Sequence, residues 1–412
     1  MEKSILVGID LGNDEFFSDS MEELKNLAEA CNISVLDSII QKRDAPTSNY
    51  YIGEGKVNEL QELINLHDAN VVIFNDELSP SHIRNLEQKL EIKIIDRTVL
   101  ILDIFARRAK TKEAMLQVEL AQSEYMLPRV VGMYKSLSRQ KSGTGSKGPG
   151  EQQLELDRRI LRDKISAFKK ELKELVKVRR TQRNKRTTSL TKTVALAGYT
   201  NAGKSSLMNS IIRLSNNEDK TETYSEGMLF ATLETKTRKI ILGNQMDFLL
   251  TDTVGFIRKL PHNLVEAFKS TLEEITEASL ILHVIDVSNP LYEQQIQTVE
   301  EVLLEIGVKD IPILYVFNKV DLLETQPVIS RDNSIMVSAK QNLNIDKLVS
   351  LIDKLLYKII KVKMLIPYNQ GEIYNELKTS SKILETRFLE DGIHIEVELN
   401  DYFYQKYRKH IY

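Results

Sequence analysis

Gly198-Tyr199-Thr200-Asn201-Ala202-Gly203-Lys204-Ser205 stands directly behind the apolar run Val194-Ala195-Leu196-Ala197 and ahead of Ser206-Leu207-Met208-Asn209-Ser210-Ile211. An apolar run, a glycine-punctuated turn and a helical pattern in that order form the strand-loop-helix unit that holds phosphates. Gly198 and Gly203 let the main chain from Tyr199 through Thr200, Asn201 and Ala202 wrap an anion, and the helix beginning near Lys204 to Ser206 adds its positive end. Lys204 is expected to reach the β- and γ-phosphate oxygens, and Ser205 to offer its hydroxyl to Mg²⁺. The bland alternative is a glycine-containing turn, and the partner motifs downstream argue against it.

Phe248-Leu249-Leu250-Thr251 delivers Asp252-Thr253-Val254-Gly255. Asp252 would hold Mg²⁺ through water, and the Gly255 amide would sense the γ-phosphate. After the apolar run Ile313-Leu314-Tyr315-Val316-Phe317 comes Asn318-Lys319-Val320-Asp321. The Asp321 carboxylate can accept from guanine N1–H and N2–H, which adenine does not offer, so this pattern selects GTP and GDP over ATP. Asn318 would brace the loop, the Lys319 stem would cover the purine face, and Ser338-Ala339-Lys340 would supply an N–H for guanine O6. Between these motifs, Met228 to Arg238 contains Phe230, expected beside the nucleotide, and Thr232, the chosen threonine for Mg²⁺ and the γ-phosphate, with Thr235 and Thr237 as alternatives. The catalytic set is thus Lys204, Thr232 and Gly255.

Where many GTPases carry a water-orienting glutamine after the glycine, this chain has Phe256. A benzyl group cannot orient water, so hydrolysis is expected to be slow until a partner docks. The plainer reading makes Phe256 a core residue of a switch helix.

The 412 residues suffice for several domains without disulfides, and the single cysteine, Cys31, fits a buried thiol in a reducing, cytoplasmic setting. No run is long enough to span a membrane, since Leu280 to Val287 is broken by His283 and Asp286. The net charge of -3 conceals a basic stretch: Glu155 to Lys192 holds fourteen Lys and Arg against five Asp and Glu.

Residues 1–97 read as a small, largely parallel α/β domain with strands at 5–9, 71–74 and 92–95 and helices at 21–30 and 82–90. Residues 98–186 read as a long antiparallel helical hairpin. Phe105, Ala109, Leu116, Leu120 and Leu127 make the stripe of its first helix, and Leu154, Leu161, Ile165, Phe168, Leu172 and Leu175 that of its second, over Gln153 to Arg183. Its glycine-rich tip is placed at 139–151, and Thr181 to Thr193 is read as a basic linker. A GTPase domain, mainly parallel with helices on both faces, is placed at 187–359, and a small α+β domain with an alternating strand at 393–399 occupies 360–412.

These residues, together with Tyr51-Ile52-Gly53-Glu54-Gly55-Lys56, Asn75-Asp76-Glu77-Leu78-Ser79-Pro80, Leu116 to Gln122, Gly148-Pro149-Gly150-Glu151 and Gly255-Phe256-Ile257, resemble the HflX family of ribosome-associated, translation-factor-related GTPases over nearly the whole chain. The family commonly has arginine at the position of Lys147 and threonine at that of Gln152. The resemblance implies binding to the large ribosomal subunit and its rRNA, with contacts from Arg139, Lys141, Lys147, Gly148, Gly150, Arg158 and Arg159, and GTP-dependent splitting of stalled ribosomes by a protein that is monomeric when free. Rival readings are an assembly GTPase of immature subunits and a GTP-dependent protein-recruiting module. The short Gly53-x-Gly55-Lys56 segment is read as structural or rRNA-facing rather than as a second phosphate loop.

Overall fold

The computed structural model describes residues 2–12, 16–134, 149–187, 192–215, 230, 235–241, 247–259, 268–325, 331–357, 360–399 and 401–412. It divides into two compact units: Met1–Asn184 with Met228–Glu234 and Ile257–Ser270, and Lys185–Gly227 with Thr235–Phe256 and Thr271–Tyr412.

In the first unit, strands β1 (Glu2–Asp10), β2 (Ile33–Lys42), β3 (Val71–Phe74) and β4 (Lys93–Asp96) form a parallel sheet in the order β2-β1-β3-β4. Ile5, Val7 and Ile9 pack with Val72 and Phe74 against Val57, Leu60 and Ile64 of helix α2 (Glu54–His67) and Leu86 and Leu90 of α3 (Pro80–Leu90). Helix α1 (Phe17–Ala30) passes so close to β1 that a Cβ at Gly8 would lie 2.5 Å from Met21 Sδ. Ser79 caps α3 by accepting the His82 N–H, with Pro80 opening the helix. Both β2 and α2 were absent from the sequence reading. Gly53 is the N-cap residue of α2, and Lys56 pairs with Glu59 at 2.7 Å.

The first hairpin helix is not continuous. Helix α4 (Arg97–Arg108) ends at Ala109 in an extended conformation, and α5 (Lys112–Tyr134) starts anew where Thr111 Oγ1 accepts the Ala114 N–H. That local cap competes with helix propagation and breaks the segment in two. The helix runs through Pro128. Helix α6 (Pro149–Thr187) is longer than the expected span from Gln153 to Arg183, adding residues 149–152 at its start and 184–187 of the basic segment at its end. Its six stripe residues are half-buried, whereas Leu156 and Ile160 are exposed. Two ion pairs, Lys112–Glu171 and Lys169–Glu124, connect α5 to α6.

The second unit holds a six-stranded sheet ordered β10-β9-β8-β5-β7-β6, from β5 (Lys192–Gly198), β6 (Lys236–Ile240), β7 (Phe248–Asp252), β8 (Leu280–Asp286), β9 (Ile313–Asn318) and β10 (Ser334–Met336). Every pair is parallel except β6 with β7. Helices α7 (Lys204–Leu214), α8 (Lys269–Thr276), α9 (Tyr292–Glu305) and α10 (Ile345–Leu356) follow in chain order. One face of the sheet, Val194, Leu196, Leu250, Leu282 and Leu314, packs on α7 and α10; Ile285, Val287 and Phe317 on the other face pack on Ile296 of α9. Strands β11 (Ile360–Ile366), β12 (Lys382–Leu389) and β13 (Gly392–Leu399) make an antiparallel sheet with β13 in the middle, and alternate residues of β13 are buried. No helix among the described residues is long and apolar enough to cross a membrane.

Candidate nucleotide site

The phosphate loop joins a central strand to its helix: β5 ends at Gly198 and α7 begins at Lys204. Gly198 and Gly203 have φ of +151° and +93°, and a Cβ at either would fall 2.2 Å from a neighbour, Val284 O and Asn318 Nδ2 respectively. Only glycine meets both demands. Asn201 takes φ +62°, which asparagine tolerates better than most residues. Lys204 is buried, and its Nζ donates to Gly198 O at 2.9 Å and Tyr199 O at 2.8 Å. Burial brings its pKa down to about 8, against an opposing pull from Asp252.

Strand β7 runs parallel to β5 with Asp252 opposite Leu196, which sets this carboxylate beside the start of α7. Ser205 Oγ donates to Asp252 Oδ2 at 2.7 Å, and both residues are buried. Two adjacent hard oxygen donors suit a small divalent cation. Thr200 Oγ1 is buried nearby without a hydrogen-bond partner. Thr253 Oγ1 donates to Leu196 O at 2.6 Å and fixes the strand end.

Beyond Asp252 the main chain lies along the phosphate loop. Phe256 N donates to Gly198 O at 3.1 Å, and Thr200 N donates to Phe256 O at 2.8 Å. Phe256 is 2% exposed and sits in this bridge rather than on a switch helix. Gly255 is so close that a Cβ there would lie 2.9 Å from Thr200 Cα and 3.0 Å from Lys204 Nζ.

On the base side, Asn318 Nδ2 donates to Ala202 O at 2.9 Å, and its Oδ1 accepts from Ala339 N at 3.0 Å. Ser338 Oγ donates to Asp321 Oδ1 at 2.6 Å and accepts from Gln341 N, so the carboxylate is oriented by the loop that carries Ala339 and the exposed Lys340. Lys319 has φ +66°, and its Nζ lies 2.6 Å from Asp286 Oδ2. Asp286 is the residue missed in the sequence, where it figured only as a charge interrupting an apolar run. The strand pairing that sets Asp286 opposite Asn318 is what brings it to Lys319.

The second unit thus brings together the loop from Gly198 to Ser206, Asp252, Gly255, Asn318, Lys319, Asp321, Ser338, Ala339 and Lys340. Phe230 belongs to the first unit, buried edge-on against Phe105 with ring centroids 4.6 Å apart. Thr237 lies on β6 with Oγ1 3.0 Å from Thr251 Oγ1. Thr232, Arg139, Lys141, Lys147 and Gly148 fall outside the described residues. Gly150 lies in the first turn of α6, Arg158 is half-buried, and Arg159 is exposed beside Asp163 at 4.0 Å.

Three family models match in succession: a GTP-binding GTPase N-terminal region over residues 18–106, a GTP-binding GTPase middle region over 108–186, and a 50S ribosome-binding GTPase over 193–319. GTPase HflX of Caldanaerobacter subterraneus subsp. tengcongensis is 45% identical over 399 residues, covering 97% of this chain and 91% of that protein. GTPase HflX of Escherichia coli K12 is 40% identical over 398 residues, covering 95% and 92%. A solved GTP-binding protein from Sulfolobus solfataricus, in complex with GDP, covers 86% of this chain and 99% of its own at 26% identity and a TM-score of 0.44. With relatives this similar along nearly its full length, and with a phosphate loop and a base loop built into one sheet edge, the chain belongs to the HflX family of GTPases.

Proposed function

We propose that this GTPase binds the large ribosomal subunit and, in its GTP state, promotes the dissociation of stalled ribosomes. The observation that carries the nucleotide half is the clamp in which Asn318 joins Ala202 of the phosphate loop to Ala339 of the base loop. Lys204 contacts the β- and γ-phosphate oxygens, and Asp321, oriented by Ser338, accepts from the guanine edge. The Lys319 stem lies over the purine face. Ser205 and Asp252, with Thr232, would hold Mg²⁺, which neutralises phosphate charge when bound. Gly255 reports the γ-phosphate: with so little room beside it that an added Cβ would lie 3.0 Å from Lys204 Nζ, admitting a third phosphate moves the 255–256 main chain off Gly198 and Thr200. Because Phe256 cannot orient water, hydrolysis by the free protein is slow and rises when the ribosome docks.

The ribosomal half is supported by the description of the matching family model and by charge. The stretch from Glu155 to Lys192, mostly within α6, has an excess of Lys and Arg that suits rRNA phosphates. Sedimentation of mature ribosomes with the protein and GTP, GDP or a non-hydrolysable GTP analogue tests this reading. Conversion of whole ribosomes to subunits with GTP or its analogue, but not with GDP, is expected. Co-migration with immature subunits alone, without splitting, would favour an assembly role instead.

A further inference from the structure

We infer that Asp286 is a positioning residue of the guanine site, holding the Lys319 side chain extended before nucleotide arrives. This rests on the assignment of Lys319 to the purine face and goes beyond it by naming what sets that lysine's geometry.

The argument begins with strand register. Strands β8 and β9 run parallel with Asp286 opposite Asn318, each the last residue of its strand, and Val287 N donates to Asn318 O at 3.1 Å. Lys319 is therefore the first residue past a strand end that Asp286 flanks. Its backbone then turns into the left-handed region at φ +66°. The two carboxylate oxygens have separate tasks. Oδ1 accepts from Ser288 N at 3.1 Å and Ser288 Oγ at 2.5 Å, which locks the carboxylate to its own turn, while Oδ2 meets Lys319 Nζ at 2.6 Å. Side-chain exposures of 24% for Lys319 and 15% for Asp286 put the pair in a partly desolvated setting, where charge attraction is screened less than at an open surface.

A lysine stem has four rotatable bonds, and in water it samples many rotamers. A stem anchored at its far end by a fixed carboxylate presents its methylenes as a ready surface, so the ordering cost of stacking on a purine is met during folding rather than binding. This contribution acts on the face of the base. It is therefore blind to the edge groups that Asp321 reads, and it serves GTP and GDP alike.

The test uses the full chain with Asp286→Asn, Asp286→Glu, Lys319→Ala, the double variant Asp286→Asn/Lys319→Ala, and Ser288→Ala, which removes the hydroxyl donor to Asp286 Oδ1. Dissociation constants for fluorescent GDP and IDP are measured at fixed Mg²⁺, alongside kcat and KM for GTP and a thermal melt. Asp286→Asn is expected to weaken GDP and IDP equally, by about fivefold to tenfold, and to raise KM with kcat unchanged. Asp286→Glu recovers part of the loss, Ser288→Ala, which keeps the main-chain donor to Oδ1 and loses the hydroxyl, weakens binding less than Asp286→Asn does, and Asp286→Asn costs nothing further in the Lys319→Ala background. Unchanged GDP affinity in Asp286→Asn, with Lys319→Ala weakened, overturns the inference. So do additive losses in the double variant. If Lys319→Ala itself binds GDP normally, the underlying placement of Lys319 fails instead.

Discussion

Asn318 and Ala202 are joined by a 2.9 Å hydrogen bond from the Asn318 amide to the Ala202 carbonyl, and the same side chain takes the Ala339 N–H on its other side. One buried amide thus keys the phosphate loop to the base loop. Asn318→Ala leaves a buried carbonyl and a buried N–H unmatched, a cost of about 1–3 kcal/mol each at most. The expected outcome is a lower denaturant midpoint together with weakened binding of both GDP and GTP; a stable variant with intact affinity would show that the two loops are held by other means.

Gly255→Ala is expected to act on the triphosphate rather than the diphosphate. The new methyl would press on Thr200 Cα and Lys204 Nζ, at 2.9 and 3.0 Å, where a γ-phosphate has to fit. Hydrolysis should fall by about tenfold or more, and affinity for a non-hydrolysable GTP analogue should drop while GDP affinity changes little. Equal losses for both nucleotides would point to general damage to the loop.

Ser205→Ala removes a hydroxyl that touches Asp252 at 2.7 Å. Chelation of Mg²⁺ is expected to weaken GTP binding sharply in the wild type and much less in the variant, read by titration with and without EDTA. An unaltered Mg²⁺ dependence would remove Ser205 from the metal's ligands.

Acid should destabilise the second unit through His283. This side chain is 1% exposed, its Nδ1 lacks a hydrogen-bond partner, and its pKa is lowered to about 3 by burial first and then by the charges of Arg331 and Lys204. The folded state therefore refuses a proton that the unfolded chain accepts near pH 6.5, so stability is whole above that pH and is lost as pH falls toward the folded value. The slope is about 1.4 kcal/mol per pH unit, or roughly 2 kcal/mol between pH 6.5 and 5. Denaturation of wild type and His283→Leu at pH 7.5 and 5 checks this, with the variant expected to lose less stability on acidification.

The phosphate and base motifs were legible because each is a contiguous run whose chemistry is local: a turn needing Gly198 and Gly203, a strand ending in Asp252, a loop carrying Asp321. Asp286 was not, since its partner Lys319 is 33 positions away and they meet only through the β8–β9 register. Strand β2 escaped notice because, as an edge strand, it mixes buried and exposed positions without clean alternation. The break before Thr111 was hidden by an apolar stripe that continues across it, although the threonine that caps α5 was in plain view. The four residues that α6 adds past Arg183, Asn184 to Thr187, are polar and basic, and composition of that kind serves a solvated helix as readily as a linker.

Calorimetric titration of the wild type and of Asp321→Asn with GDP, GTP, ATP and xanthosine diphosphate tests the guanine clamp most directly. The wild type is expected to bind the guanosine nucleotides and not ATP, and Asp321→Asn to lose guanosine affinity while gaining xanthosine, whose C2 carbonyl accepts from an amide. Comparable binding of ATP by the wild type, or an Asp321→Asn protein that still prefers guanosine, would contradict it.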